Sequence, residues 1–184
     1  KSGRFQGAAQ AVRSHSGALA GSDAVYDAAF REAGLYRLFE LQNVYDLLLT
    51  LNHFPTLKGN HLTILTNGGG VGILATDTLL ATGGELSTLS SSSLDKLNRV
   101  LPPTWSQGNP VDIIGDAPPE RYVKALEILM DDPEVQTILL MHCPTSLSPT
   151  HDVFKGVIER KKKKKIPRPD IFVVCLQQNI EKSM

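Results

Sequence analysis

With 184 residues, 41% of them hydrophobic, the chain can build one ordinary domain with its own core plus an appendage. Its nineteen basic and nineteen acidic residues cancel, so overall charge gives no reason to expect a nucleic-acid or membrane partner. No apolar run reaches the roughly eighteen residues of a bilayer span, and two cysteines, Cys143 and Cys175, make no disulfide framework, which fits a reducing, cytoplasmic compartment.

Residues 1–23 are rich in Gly, Ala and Ser around one histidine, His15. Small residues let a backbone run close to another surface or a ligand, so this stretch reads as an active-site loop rather than core. Ser22 or Asp23 caps a helix to about Ala33, and Gly34 ends it, with Val25, Ala28, Ala29 and Phe30 on its apolar face. Residues 35–39 read as a short strand. A second amphipathic helix over 40–54 carries Val44, Leu47, Leu48 and Leu51 on one side, and Pro55 follows. The start Lys1-Ser2-Gly3-Arg4 has neither an initiating Met nor a signal peptide, and reads as the middle of a longer protein.

The pattern changes near residue 58. A short strand over 61–66 leads into the tight loop Asn67-Gly68-Gly69-Gly70 and a helix over 71–80 that Gly83-Gly84 stop. Residues 85–89 can form a strand. Ser90 to Ser93 cap a helix that Pro102-Pro103 break, and Asn109-Pro110-Val111-Asp112 reads as loop. A strong helix over 118–130 shows Tyr122, Leu126 and Leu129 on one face. Residues 135–141 form a continuous apolar strand of the doubly buried kind. Cys143-Pro144-Thr145 turns the chain into a helix over 151–162, and 171–176 is the last strand. Strands alternating with helices through short connections predict an α/β three-layer sandwich around a parallel sheet. The expected division is 1–57, the tail of a preceding unit, and 58–184, one open α/β domain. The cation run from Arg160 to Lys165 reads as a solvated loop or helix end before a strand, the alternative being a polyanion-binding patch.

Four places can carry chemistry. His15, in Ser14-His15-Ser16-Gly17-Ala18, is either an exposed loop histidine or a nucleophile, since neutral imidazole can carry a phosphoryl group. Asn67, Gly68, Gly69 and Gly70 open a helix after a strand, where backbone N–H groups make an anion site; the alternative is a tight turn with glycines for geometry alone. The loop lacks the Lys-Ser/Thr ending of a P-loop, and no acidic residue completes a dinucleotide fingerprint. Asp112 reads as a structural loop residue. Thr145 and Ser146 follow a strand's C-terminal end, where ligands gather in such sheets. Cys143 reads as a small buried hydrophobe rather than a thiol nucleophile. His53, His61, His142 and His151 have no metal spacing and read as structural.

The run Lys1-Ser2-Gly3-Arg4, Ala9 and Ser14-His15-Ser16-Gly17-Ala18-Leu19-Ala20-Gly21-Ser22-Asp23 resembles a segment of the ADP-forming (NDP-forming) acyl-CoA synthetases, relatives of succinyl-CoA synthetase. Ser16 stands where that family usually has Thr. Leu62 to Gly72, then Asn109-Pro110-Val111-Asp112, Glu120-Arg121-Tyr122 and Asp132-Pro133-Glu134-Val135, are similar to the family in the same order, to about residue 150. The stretch from Lys161 to Met184 departs from it.

The resemblance implies a flavodoxin-like, succinyl-CoA synthetase-like domain over 58–184. It also implies an acid–thiol ligase that interconverts acyl-CoA, ADP and phosphate with a carboxylic acid, CoA and ATP. His15 is then the phosphoryl carrier, and Asn67, Gly68, Gly69 and Gly70 line a phosphate-binding helix end, with Thr145 and Ser146 lining a second. CoA and ATP/ADP with Mg2+ belong mostly to domains outside this segment, so the remaining synthetase domains or a subunit are the expected partners, and the segment alone is expected to be inactive. Oligomeric state stays open, a homo-oligomer included. Two rival readings are the synthetase-like, acyl-CoA-binding region of a protein lysine acetyltransferase and a non-enzymatic ligand-sensing module.

Overall fold

The computed structural model describes residues 5, 8, 22–53, 59–163 and 169–175. Within them the chain divides into two compact units, Lys1–Pro55 and Thr56–Met184. No helix among the described residues is long and apolar enough to cross a membrane.

The first unit contains α1 (Asp23–Glu32) and α2 (Leu41–His53). Ser22 holds the cap position of α1, but its side chain makes no capping bond. The far end is closed by backbone alone. Gly34 takes φ 67°, the Gly34 amide donates to Arg31 O (3.1 Å) and the Leu35 amide to Phe30 O (2.8 Å). This left-handed closure favours glycine. Residues 35–38, expected as strand, have no regular structure. Arg37 instead ties them to α1, pairing with Asp23 (2.6 Å) and Asp27 (3.1 Å). Its guanidinium lies 5.0 Å from the Phe39 ring centre and 5.9 Å from that of Phe30.

The second unit is an α/β sandwich around a parallel sheet. In chain order it runs β1 (His61–Thr66), α3 (Gly69–Ala81), β2 (Glu85–Leu86), α4 (Ser91–Val100), β3 (Val111–Asp112), α5 (Pro119–Met130), β4 (Thr137–His142), α6 (Thr150–Lys163) and β5 (Asp170–Cys175). The order across the sheet is β2-β1-β4-β5, with β3 also on β1. Every pairing is parallel, with Thr63 opposite Ile138 and Ile138 opposite Ile171. This is the flavodoxin-like arrangement, in which the chain reverses direction across the sheet beside β1. The expected strand over 85–89 is shorter, β2 ending at Leu86 with one further bond from the Ser87 amide to Leu62 O (3.0 Å), whereas Val111–Asp112, expected as loop, forms β3.

Both departures have one cause. β2 pairs with His61 and Leu62, and β3 with Leu65 and Thr66, which leaves a gap along the same edge of β1. The side chain of Asn109 fills it. Its Oδ1 accepts from the Ile64 amide (2.9 Å), and its Nδ2 donates to Leu62 O (2.8 Å) and Ser87 O (3.0 Å). One carboxamide thus stands in for the missing strand backbone: it satisfies the Ile64 amide and adds a second bond to Leu62 O, which also accepts from the Ser87 amide (3.0 Å). The peptide bond from Asn109 to Pro110 is cis.

Helices α4, α5 and α6 cover one face of the sheet. Leu97, Tyr122, Leu126, Leu129 and Val153 are fully buried there against Leu65, Ile138 and Leu140. Each buried leucine contributes about 1.5–3 kcal/mol. Gly156 of α6 permits the close approach to α5: a Cβ there would come within 2.9 Å of Val123 Cγ2. The start of α4 is held by Asp132, which accepts from the amide (2.9 Å) and hydroxyl (3.0 Å) of Ser90. Burial opposes ionisation of Asp132, but hydrogen bonds from Ser93, Glu134 and Ser90 hold its pKa below the usual carboxylate value. On the other face α3 lies over the sheet, its Val71, Leu74, Ala75 and Leu79 forming a cleft with Leu62, Leu139 and Met141.

Candidate functional site

Three loops meet at the C-terminal end of the sheet, where open α/β folds place their ligands. They are residues 67–70 after β1, 112–117 from the end of β3, and 143–148 after β4.

Asn67 is buried, with 2% of its surface exposed. Both ends of its carboxamide are engaged: Nδ2 donates to Cys143 O (2.8 Å) and Oδ1 accepts from the Cys143 amide (2.8 Å). Asn67 therefore clamps the first loop to the third. The Thr66 hydroxyl steadies the turn by accepting from the Gly68 amide (3.0 Å).

The four glycines of this stretch have different reasons. A Cβ at Gly68 would meet Cys143 Sγ at 2.6 Å, and one at Gly69 would meet Asp112 Oδ2 at 2.7 Å. A Cβ at Gly72 would press on Thr66 Cγ2 at 3.1 Å. These three are close approaches that the fold itself demands. Gly70 is otherwise. It is exposed, lies in the first turn of α3, has no positive φ, and a Cβ there would meet nothing within 4 Å. Nothing in the fold needs glycine at this position, and glycine costs a helix up to about 1 kcal/mol relative to alanine. Its effect is to leave open the space before the free amides of α3, which carry the positive end of the helix dipole.

Asp112 reaches the same helix end from the second loop. Its Oδ1 accepts from the Ile114 amide (2.9 Å). Arg121 holds this loop from α5, donating to Ile113 O (3.0 Å) and to Asp116 Oδ1 (2.6 Å). Thr145 joins the third loop to the second through a bond from its hydroxyl to Gly115 O (3.3 Å). Thr145 and Ser146 are exposed and lie in a turn closed by the Ser148 amide donating to Thr145 O (3.1 Å). They precede the first residue of α6, Thr150, and so do not themselves open a helix.

Below the third loop, His142 is fully buried. Its Nδ1 lies 3.2 Å from the Tyr122 hydroxyl, and its ring sits edge-on to Tyr122 and Phe154. Burial pushes its pKa below the ordinary imidazole value, against an opposing contribution from the Ser148 backbone. The roles of Asn109 and Arg121 in holding this end together were not visible in the sequence, and Asn67, expected there as a residue lining a phosphate site, was not visible as a clamp. Asn109 and Asn67 act on backbone groups distant in the chain, and Arg121 on Ile113 O and the Asp116 side chain in the loop before its own helix; no local spacing announces these bonds. His15 lies outside the described residues, as does most of the tail from Lys161.

Comparison with known proteins places this geometry. The family described as "Ligase-CoA domain" matches residues 62–184, and "Succinyl-CoA ligase like flavodoxin domain" matches residues 1–51. The chain is 44% identical over 120 residues to an ADP-forming acetate–CoA ligase of Methanocaldococcus jannaschii, covering 65% of this chain and 17% of that protein. It is 33% identical over 181 residues to the alpha subunit of ADP-forming acetate–CoA ligase I of Pyrococcus furiosus, covering 98% and 38%. Among solved structures it resembles the dinucleotide-forming acetyl-coenzyme A synthetase 1 of Ca. Korarchaeum cryptofilum in complex with phosphate and ADP. The TM-score is 0.82 and the identity 31%, over 96% of this chain and 38% of that one. The chain thus spans well under half the length of these relatives. With its Ligase-CoA match over two thirds of its length, the chain belongs to the NDP-forming acyl-CoA synthetase family.

Proposed function

We propose that this chain is the phosphoryl-relay part of an NDP-forming acyl-CoA synthetase, an acid–thiol ligase. In the complete enzyme a phosphate oxygen attacks the thioester carbonyl of acyl-CoA and CoA leaves, forming an acyl phosphate. The imidazole of His15 then attacks phosphorus and the carboxylate departs. The terminal phosphate oxygen of ADP takes the phosphoryl group from the histidine, giving ATP, and the reverse sequence makes acyl-CoA. The amides that open α3, around Gly69 and Gly70, receive the phosphoryl oxygens while the group is in transit.

The observation that carries this reading is Gly70, the one glycine of the loop that the fold does not require. Its place at the C-terminal edge of a parallel sheet is where such a ligand is expected. The Korarchaeum relative's complex with phosphate and ADP supports the same chemistry. Asn67 serves as a clamp, Asp112 as a neighbour of the helix end, and Thr145 as a tie between loops. No group of three or more His, Cys, Asp or Glu side chains that could hold a metal gathers among the described residues. In this reading Mg2+ is held mainly by the nucleotide phosphates and by domains beyond this segment, which also take CoA and the acyl group.

The test is phosphorylation of the complete enzyme with radiolabelled ATP. An acid-labile, base-stable label should form in the native protein and be absent from His15→Ala. A label that persists in the variant ends this assignment.

A further inference from the structure

The glycine loop shares its end of the sheet with a carboxylate. One oxygen of Asp112 is committed to the Ile114 amide at 2.9 Å. That bond holds Ile114 at φ 70°, a left-handed conformation in which a β-branched residue is strained. Strain of this sort persists only where the surroundings over-determine it, and here Arg121 fixes the preceding carbonyl as well. The other oxygen, Oδ2, lies against Gly69, the first residue of α3, in the space a Cβ would fill. The loop's strain is thus spent on holding a negative charge beside the free amides of a helix. That is where a negative charge is electrostatically favoured, and it is also where an arriving phosphoryl group has to go.

We propose that Asp112 is a positioning carboxylate that limits the hold of α3 on a phosphoryl group, so that a group received there can leave again. The proposal rests on the phosphoryl-binding reading of the glycine loop given above. A relay that runs in both directions gains nothing from a site that binds the travelling group tightly at rest. The carboxylate supplies the counterweight: two unit charges about 6 Å apart at an effective dielectric of about 40 shift an equilibrium roughly ten-fold. A single carboxylate is no metal cage, and no further acidic, His or Cys side chains join it in a group of three among the described residues.

The experiment is a titration of the 184-residue chain with inorganic phosphate, with and without Mg2+, followed through the amide resonances of Gly69 and Gly70. Native protein is compared with Asp112→Asn and Asp112→Ala. Asn keeps an oxygen to accept from the Ile114 amide, so the loop stays in place while the charge is removed. The expected result is weak binding in the native chain and roughly ten-fold tighter binding in Asp112→Asn, without need of Mg2+. Because Asp112→Ala loses the loop bond as well, tightening in Asn but not in Ala supports a charge acting from a held position. Equal or weaker binding in Asp112→Asn overturns the proposal and leaves the glycine-loop reading intact. Native binding that requires Mg2+ and is lost in Asp112→Asn also overturns it, making the carboxylate a cation ligand. If phosphate perturbs neither amide in any form, the phosphoryl reading of the loop falls and this proposal with it.

Discussion

Replacing Gly70 by alanine separates what the fold requires from what a ligand requires. The position is exposed and helical, and a methyl group there would touch nothing within 4 Å. On backbone grounds the substitution should stabilise the domain, since alanine loses less freedom on entering a helix, by about 0.5–1 kcal/mol. For a unit of this size that corresponds to a rise in Tm of about 2–4 °C. The neighbours behave oppositely. A methyl at Gly68 would lie 2.6 Å from Cys143 Sγ, and one at Gly69 would lie 2.7 Å from Asp112 Oδ2, so each should cost about 1–3 kcal/mol through overpacking. Side chains on a helix lean toward its N-terminus. The new methyl at position 70 would therefore project toward the place where, on the function proposed above, an anion would meet the α3 amides. A displacement of about 1 Å can cost up to about a hundred-fold in rate, so phosphoenzyme formation in the complete enzyme should fall by at least about ten-fold. Calorimetry of the chain and rapid-quench labelling of the enzyme give the two readouts. A variant that is more stable and labels at the native rate would show that nothing approaches this end of α3, and the reasoning would fail.

Two further outcomes follow from the same packing. Asn109→Asp removes the donor that serves Leu62 O and Ser87 O and sets a carboxylate among carbonyls, so it should cost about 2–4 kcal/mol in urea unfolding; a loss below about 1 kcal/mol would mean that the edge of β1 does not depend on this amide. His142 has its pKa lowered by burial, so it is neutral in the fold, and the stability tied to it is fully present above the unfolded value of about 6.5 and is lost as pH falls from there toward the lower folded value. The urea midpoint should drop between pH 7 and 5, and His142→Leu should flatten that drop; an unchanged slope in the variant would assign the acid sensitivity elsewhere.

The parts of this fold that follow from local pattern were legible in the sequence, and the parts that depend on a distant partner were not. Residues 61–66 announce a strand by their apolar run, and the glycines at 83 and 84 announce the end of α3, where Gly83 takes φ 82° and the Gly84 amide closes on Leu79 O at 2.9 Å. Residues 35–39 carry a similar apolar run yet form no strand, because a strand exists only against a neighbouring edge and Arg37 binds the acids of α1 instead. β3 has only two residues and works only because Asn109 completes the edge beside it. The glycine loop shows the same division within four residues. Its sequence says that glycines open a helix, but not that the reason at 68 is Cys143 and at 69 is Asp112, each brought there by another strand. Once those two close approaches are accounted for, the question of ligand binding narrows to the residue with no structural reason of its own. Gly70, rather than the motif as a whole, is therefore the residue at which a single methyl group separates a ligand's demand from the fold's.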